Sequence, residues 1–264
     1  MIRSFRAEMI KLLRRRVLLL TAITTLVFSV GGALVVLAAA PAVAGRAGRG
    51  ASGPTLESLA RAGGGTEVFT TAVAFAGTFL FVVFVGLVAA EFSRGTVRTM
   101  LLRQPRRLRL LAGKMAALLA FAGAALAIAE ALTWIAATLL APTQDVATNQ
   151  WVSLASLDQG FADYGKVMFW VTGYAVLAMA LGVLIRSVPV ALAVGIAWAG
   201  PLEHLVQQAW GPASRLFPGL LLEAFMAGGT PDVSGLRASL TVTAYAVAAT
   251  LVAGAVFARR DVTA

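Results

Sequence analysis

Residues 17–40, VLLLTAITTLVFSVGGALVVLAAA, form an apolar run that contains no charged residue. A helix needs about 20 apolar residues to cross the hydrocarbon core of a bilayer. Membrane β-strands would alternate polar and apolar side chains, and this run does not alternate. It therefore predicts a transmembrane helix. The alternative is a cleavable signal peptide ending near Ala42-Val43-Ala44, but signal cores are only about 7–15 residues long.

Five further apolar runs follow this first one along the chain. They cover residues 68–90, 115–141, 167–185, 187–204 and 238–258. The fifth is the shortest, because only residues 187–202 are free of charge, and sixteen residues rise about 24 Å. The runs predict an all-α integral membrane protein with six transmembrane helices, in one domain that covers residues 1–264.

The composition agrees with a membrane protein and excludes several kinds of site. Hydrophobic residues make up 59% of the chain, and charged residues only 13%, against about 25% in average soluble domains. The absence of cysteine excludes disulfides and thiolate metal sites, and the single histidine argues against any metal centre. The net charge of +10 does not indicate nucleic-acid binding, because the basic residues flank the apolar runs.

The distribution of lysine and arginine predicts the orientation of the helices. With the N-terminus inside, sixteen of the 22 basic residues fall in cytoplasmic segments and six in external ones. Cytoplasmic loops of membrane proteins carry such an excess. The sequence therefore predicts a multi-pass protein with both termini in the cytoplasm, and with residues 41–66 and 203–236 outside.

The segments at the ends of the apolar runs have patterns of their own. Residues 1–16 predict an amphipathic helix in the membrane interface, an elbow leading into the first span, although a topology signal alone is the alternative. Residues 205–236 are broken by Gly-Pro, Pro-Gly and Gly-Gly pairs and predict short external helices that cap the last two spans. The apolar positions of the elbow are Ile2, Phe5, Met9, Leu12 and Leu13, and the charged ones are Arg3, Glu8, Lys11, Arg14 and Arg15.

Residues 91–114, EFSRGTVRTMLLRQPRRLRLLAGK, are the most informative segment between spans. Thr96 is a suitable N-cap for a short helix over residues 97–103. Gln104 precedes Pro105, which ends that helix and can begin the next one. The pattern predicts a short cytoplasmic helix parallel to the membrane. A basic loop held on anionic lipid is the alternative.

Together with the opening FRAEMIKLLRRR and the closing VFARRDV, this segment resembles the permease subunit of type-2 ABC exporters, the drug and antibiotic exporter class. The resemblance implies a bacterial plasma-membrane protein that works with two copies of a separate ABC ATPase and a second permease chain, more readily a homodimer than a heterodimer. ATP and Mg would bind to the ATPase, with no cofactor in this chain. The implied coupling helix, seated on the ATPase, would comprise Arg94, Gly95, Thr96, Val97, Arg98, Thr99, Leu101, Leu102, Arg103 and Pro105.

Four ionisable residues near the membrane are further candidates. Glu91 is expected to support the coupling helix by pairing with Arg94 or Arg98, or else to be a plain interface charge. Glu130 lies within the third apolar run and is a candidate substrate or proton site, since charges there are costly; a neutral structural glutamate is the alternative. Glu203 and His204 are candidates for an outer gate, or solvated residues at a helix end.

No nucleophile lies beside a suitable base in the sequence, so we expect no catalytic residue and no enzyme activity of the chain's own. The expected function is the membrane-spanning permease of an ATP-driven exporter of an amphiphilic small molecule, lipid or peptide. The alternatives are an ATP-independent secondary carrier and a non-transporting immunity or assembly factor.

The orientation can be tested by labelling, because the chain contains no cysteine and each introduced thiol is the only one. Ser93→Cys should stay unlabelled by a membrane-impermeant maleimide in intact cells, since it follows the second span on the cytoplasmic side. Ser52→Cys, in the external segment 41–66, should be labelled. Labelling at position 93 in intact cells would contradict the predicted topology.

Overall fold

The computed structural model describes residues 2–42, 53–75, 77–93 and 106–259, and within these ranges it contains helices and no strand. The first five helices, α1 to α5, are Ile2–Leu12, Arg15–Ala39, Leu56–Leu59, Gly64–Phe75 and Gly77–Ser93. Helices α6 to α11 are Arg107–Leu140, Leu154–Ile185, Val188–Ala197, Glu203–Ala209, Pro218–Met226 and Gly235–Arg259. The all-α prediction is therefore confirmed for the described chain.

Four of these helices are long and apolar enough to cross a membrane: Arg15–Ala39, α6 extended to Gln144, Leu154–Ile185 and Gly235–Arg259. The predicted second and fifth spans contain shorter apolar helices, Leu80–Glu91 and Val188–Ala197. After Ala197 a π-helical turn, Trp198–Leu202, contains Pro201, which lacks the backbone N–H that an α-helix needs. The six-span plan thus stays a prediction, and four spans are present by length and composition.

The chain divides into two compact units, each assembled from separate stretches of sequence. Unit 1 consists of Met1–Ile10, Gly77–Leu119 and Phe169–Ala264. Unit 2 consists of Lys11–Ala76 and Ala120–Met168.

In unit 2, helices α2 and α4 approach closely where Gly32 faces Ala72, because a side chain on Gly32 would overlap the alanine methyl group. The apolar core beside this contact includes Leu37, Val68 and Trp151. Trp151 is 2% exposed, and its indole Nε1 donates a 2.8 Å hydrogen bond to the backbone carbonyl of Leu59. This bond fastens the segment before α7 to the short helix α3.

In unit 1, helix α7 provides the central packing surface. Its Gly182 faces Val88 of α5, where any side chain would overlap the valine. Trp170 and Tyr174 of α7 pack edge to face, and Tyr174 also contacts the ring of Phe81. These contacts hold α5 against α7 in one buried core.

A tight turn joins α7 to α8, as the sequence Arg186-Ser187-Val188-Pro189 predicts. Helix α7 ends at Ile185, Arg186 adopts a left-handed conformation with φ 58°, and α8 begins at Val188. The hydroxyl of Ser93 donates to the Arg186 carbonyl at 3.0 Å and accepts from the Val188 amide at 3.3 Å. The end of α5 therefore caps this turn.

The core of unit 2 yields a stability prediction. Trp151→Phe should destabilise the protein by about 1–3 kcal/mol, because the Leu59 carbonyl loses the hydrogen bond from the buried indole N–H. Trp151→Ala should cost about 3–5 kcal/mol through the added cavity. The neighbouring Val152 is 81% exposed, so Val152→Ala is the matched control. The unfolding midpoints of these three variants in mild detergent test the prediction. Equal losses of stability at positions 151 and 152 would refute this packing.

Candidate functional site

The predicted coupling helix lies outside the described residues, since all ten of its residues fall between Ser93 and Arg106. What the structure describes are the helices on either side, α5 and α6. The predicted partners of Glu91, Arg94 and Arg98, lie outside the described residues as well. The coupling assignment therefore stays a prediction.

Glu91, near the end of α5, pairs with a residue that the sequence did not indicate. The Lys114 ammonium of α6 lies 2.6 Å from the Glu91 carboxylate and 3.5 Å from the carboxylate of Glu8 in α1. Lys114 and Glu8 are only 7% and 6% exposed. The sequence analysis identified Glu8 only as a charged position of the elbow helix, and its burial beside Lys114 was not predicted.

Other helix ends of unit 1 also meet through polar contacts. Arg107, the first residue of α6, donates to the carbonyls of Phe257 and Ala258 at 3.0 and 3.4 Å. These carbonyls belong to the last turn of α11, whose final acceptors lack partners within the helix. A cation is favourable at such a C-terminus because the aligned peptide dipoles make it electronegative.

A second polar cluster lies in unit 2, around Asp163 of α7. Its carboxylate, in a residue only 3% exposed, accepts from the Thr66 hydroxyl at 2.8 Å, the Gln159 amide at 3.0 Å and the Lys166 ammonium at 2.9 Å. Three donors satisfy this carboxylate, as a buried charge requires. The sequence analysis missed Asp163, although Gln159, Asp163 and Lys166 recur at i, i+4 and i+7 on one helix face.

Glu130 of α6 belongs to the same unit but has a different environment. Its Oε1 atom is buried and has no hydrogen-bond partner among the described residues. This oxygen faces Gly160 of α7, at 3.7 Å from where a Cβ atom would lie. The Thr66 methyl group is also near Gly160, at 3.4 Å from the same point, so α4, α6 and α7 meet there.

The two helices that carry Glu130 and Asp163 are held together by one further bond. The Tyr164 hydroxyl donates to the Gly123 carbonyl of α6 at 3.0 Å. A side chain on Gly123 would approach Tyr164 and Met168 closely. The site around Glu130 is therefore bounded by well-packed helices, with one carboxylate oxygen available to accept a hydrogen bond.

Glu67 lies just before the second apolar run and close to the Asp163 cluster. Burial raises the pKa of Glu67 above its ordinary value, and the neighbouring Asp163 raises it further. The Ser58 hydroxyl, which donates to this carboxylate at 3.5 Å, and the charges of Lys166 and Arg61 oppose that increase. Burial and the charge of Asp163 therefore favour the protonated form of Glu67.

The two candidates for an outer gate have different partners. Glu203, only 2% exposed, accepts from the amides of Gly219 and Leu220 at 3.2 and 2.9 Å, so it caps the N-terminus of α10. His204 lies 3.5 Å from Glu223, and both are about half exposed. Burial raises the pKa of Glu223, while His204 lowers it. A gating role stays a prediction for both residues.

No group of three metal-ligating side chains occurs in the described part of the chain. The expectation of a cofactor-free, non-enzymatic chain remains an expectation.

The described helices and their apolar surfaces define an all-helical protein whose long helices can cross a membrane. The family described as "Protein of unknown function (DUF2705)" matches residues 49–263, and the chain belongs to this family. No curated protein matches the chain, and no solved structure does.

The two embedded carboxylates should respond in opposite ways to the loss of their charge. Asp163→Asn should destabilise the protein by about 1.5–3 kcal/mol, because charge-assisted bonds to three donors weaken. Glu130→Gln should leave stability unchanged or raise it, since an unpartnered buried oxygen no longer carries charge. Thermal unfolding in detergent measures both variants. A clear loss of stability in Glu130→Gln would show that its charge is structural.

Proposed function

We propose that the chain is the membrane-spanning permease subunit of an ATP-driven exporter, with residues 94–105 as the contact for a separate ATPase. The observation that carries the proposal is the packing at the base of this segment, where α5 ends and α6 begins. Its sequence resembles the coupling segment of type-2 ABC exporters, and the helices leading into and out of it are joined by the partly buried Glu91–Lys114 ion pair. A segment that receives force from a partner needs helices held firmly at its base.

The contacts among helix ends support the proposed alternation of these ends between the two sides of the membrane. Ser93 meets Arg186 and Val188, and Arg107 meets Phe257, so these contacts join only ends that the basic residues assign to the cytoplasm. In unit 2, Trp151 bonds to Leu59, and Asp163 to Thr66, which joins only residues assigned to the outside. A wrong assignment of one span would have paired an inner end with an outer one.

The proposal includes six spans, and so two crossings besides the four long helices. The second would be made by α4 and α5, and the fifth by α8 continuing through the π-helical turn into α9. A helix shorter than the hydrocarbon core crosses by local thinning of the bilayer or by burial against other helices. The short helix α10 and the turn Gly211–Arg215 lie between the last two spans, where the family resemblance places an external cap.

Within this permease, Glu130 is the proposed contact for cargo or for a proton. Its unpartnered oxygen suits a cationic group or a hydrogen-bond donor on an amphiphile. Polar groups kept inside a membrane at the expense of stability are typical of transport sites. On this proposal, Glu130→Gln reduces transport even where it keeps the protein stable.

The test of the ATPase contact uses the two leucines of the segment. A leucine seated in a protein groove contributes roughly 1.5–3 kcal/mol, whereas a leucine beside lipid headgroups contributes little to ATPase binding. Leu101→Ala combined with Leu102→Ala should therefore weaken co-purification of the ATPase about tenfold or more, which corresponds to about 1.4 kcal/mol.

The matched control for this test is Leu139→Ala, because Leu139 is 73% exposed on α6 and belongs to the opposite end of that helix. It should leave ATPase binding unchanged, and both variants should insert into the membrane. The proposal fails if no ATPase co-purifies with the wild-type chain, as an ATP-independent carrier or an immunity factor would behave. Wild-type affinity in the double alanine variant would remove residues 94–105 from the contact.

A further inference from the structure

On the N-terminal helix α1, two polar residues are buried against the protein and two large apolar residues are exposed. Ser4 and Glu8, one helical turn apart, are buried at 5% and 6% exposure. Ile2 and Ile10 are 70% and 68% exposed. The exposed face carries isoleucines together with Arg3 and Arg6, which suits a helix in the membrane interface, while the polar stripe formed by Ser4 and Glu8 contacts the protein.

The polar stripe ends in a buried ion pair, which a topology signal does not require. Arg3 and Arg6 of the same helix remain exposed, as charges at a membrane surface do. Glu8 instead loses most of its contact with water beside Lys114. Burying a charge is costly unless a partner of opposite sign is held in place, so the pairing of Glu8 with Lys114 specifies where α1 lies.

Lys114 is shared between two carboxylates from different helices. Its ammonium is 2.6 Å from Glu91 of α5 and 3.5 Å from Glu8 of α1, while the lysine itself belongs to α6. An ammonium has three donors and can serve both partners at once. One side chain therefore connects α1 to the two helices on either side of residues 94–105.

We propose that Glu8 and Lys114 are positioning residues that make α1 part of the mechanical base of the ATPase contact. The Glu91–Lys114 pair fixes the spacing of α5 and α6, and the Glu8–Lys114 pair docks α1 against them. This inference rests on the proposed permease function for its consequence, but the docking of α1 can be tested without it.

The first experiment measures the docking on the purified chain alone. Cysteine is absent from the sequence, so spin labels can be placed at Arg6→Cys and Arg109→Cys, two exposed positions on α1 and α6. The wild-type background should give one narrow distance distribution by pulsed electron resonance. Glu8→Gln should broaden it, because glutamine keeps the shape of glutamate but loses the ionic bond to Lys114.

The control for the first experiment is Arg3→Gln, which removes an exposed charge from the same helix and should keep the narrow distribution. Lys114→Arg, which retains the positive charge, should also remain narrow. Size-exclusion profiles identify any variant that fails to fold, and Glu8→Gln leaves the Glu91–Lys114 pair intact. A narrow, unshifted distribution in Glu8→Gln would overturn the proposed docking.

The second experiment measures the dissociation constant of the ATPase partner for the same variants. Glu8→Gln should raise this dissociation constant, whereas Arg3→Gln should not. If α1, α5 and α6 are less ordered before the ATPase binds, binding must order them, and this cost weakens the affinity. If Glu8→Gln broadens the distance distribution but leaves the ATPase affinity unchanged, the positioning role is overturned and the ion pair is only structural. If the wild type binds no ATPase, the proposed function fails, and the distance measurement still decides whether Glu8 docks α1.

Discussion

Polar contacts at helix ends are the constraint on which the packing of this protein depends. Apolar helix faces gain little from one another in lipid, because lipid tails are as apolar as leucine. Specific contacts must then choose among many packings of similar energy. Lys114 with Glu91, Asp163 with Thr66, and Glu203 with the α10 amides make such a choice, since separating any of these pairs would leave a buried charge with fewer partners.

The sequence predicted the features that follow from local pattern. Long uncharged runs gave the four long helices, the Arg186–Pro189 segment gave the turn, and helical spacing gave α1. Prediction from the sequence failed where a residue far away in the chain decides whether a side chain is buried. Glu8 was identified only as a charged position of the elbow, and its burial depends on Lys114, far away in the sequence. Periodicity cannot detect such a partner.

The candidate site was only partly predicted, again because the sequence reveals local patterns and not distant partners. Glu130 was found because one charge interrupts an apolar run, which is a signal within a single segment. Asp163 was missed because the apolar run after it begins only at residue 167, whereas helix α7 begins at Leu154. Its partners on that helix are visible as helical spacing once the helix is extended, but the Thr66 hydroxyl comes from α4 and has no local signal.

The two carboxylates of the site have opposite hydrogen-bonding environments. The Asp163 carboxylate accepts hydrogen bonds from three donors of the protein itself, so its charge is compensated without a ligand. Glu130 keeps an oxygen without a donor, a state that folding alone does not favour. On the proposed function, the state of the ATPase would have to change how Glu130 meets cargo. Transport requires such a link, because cargo must be bound differently in the two states that ATP hydrolysis interconverts.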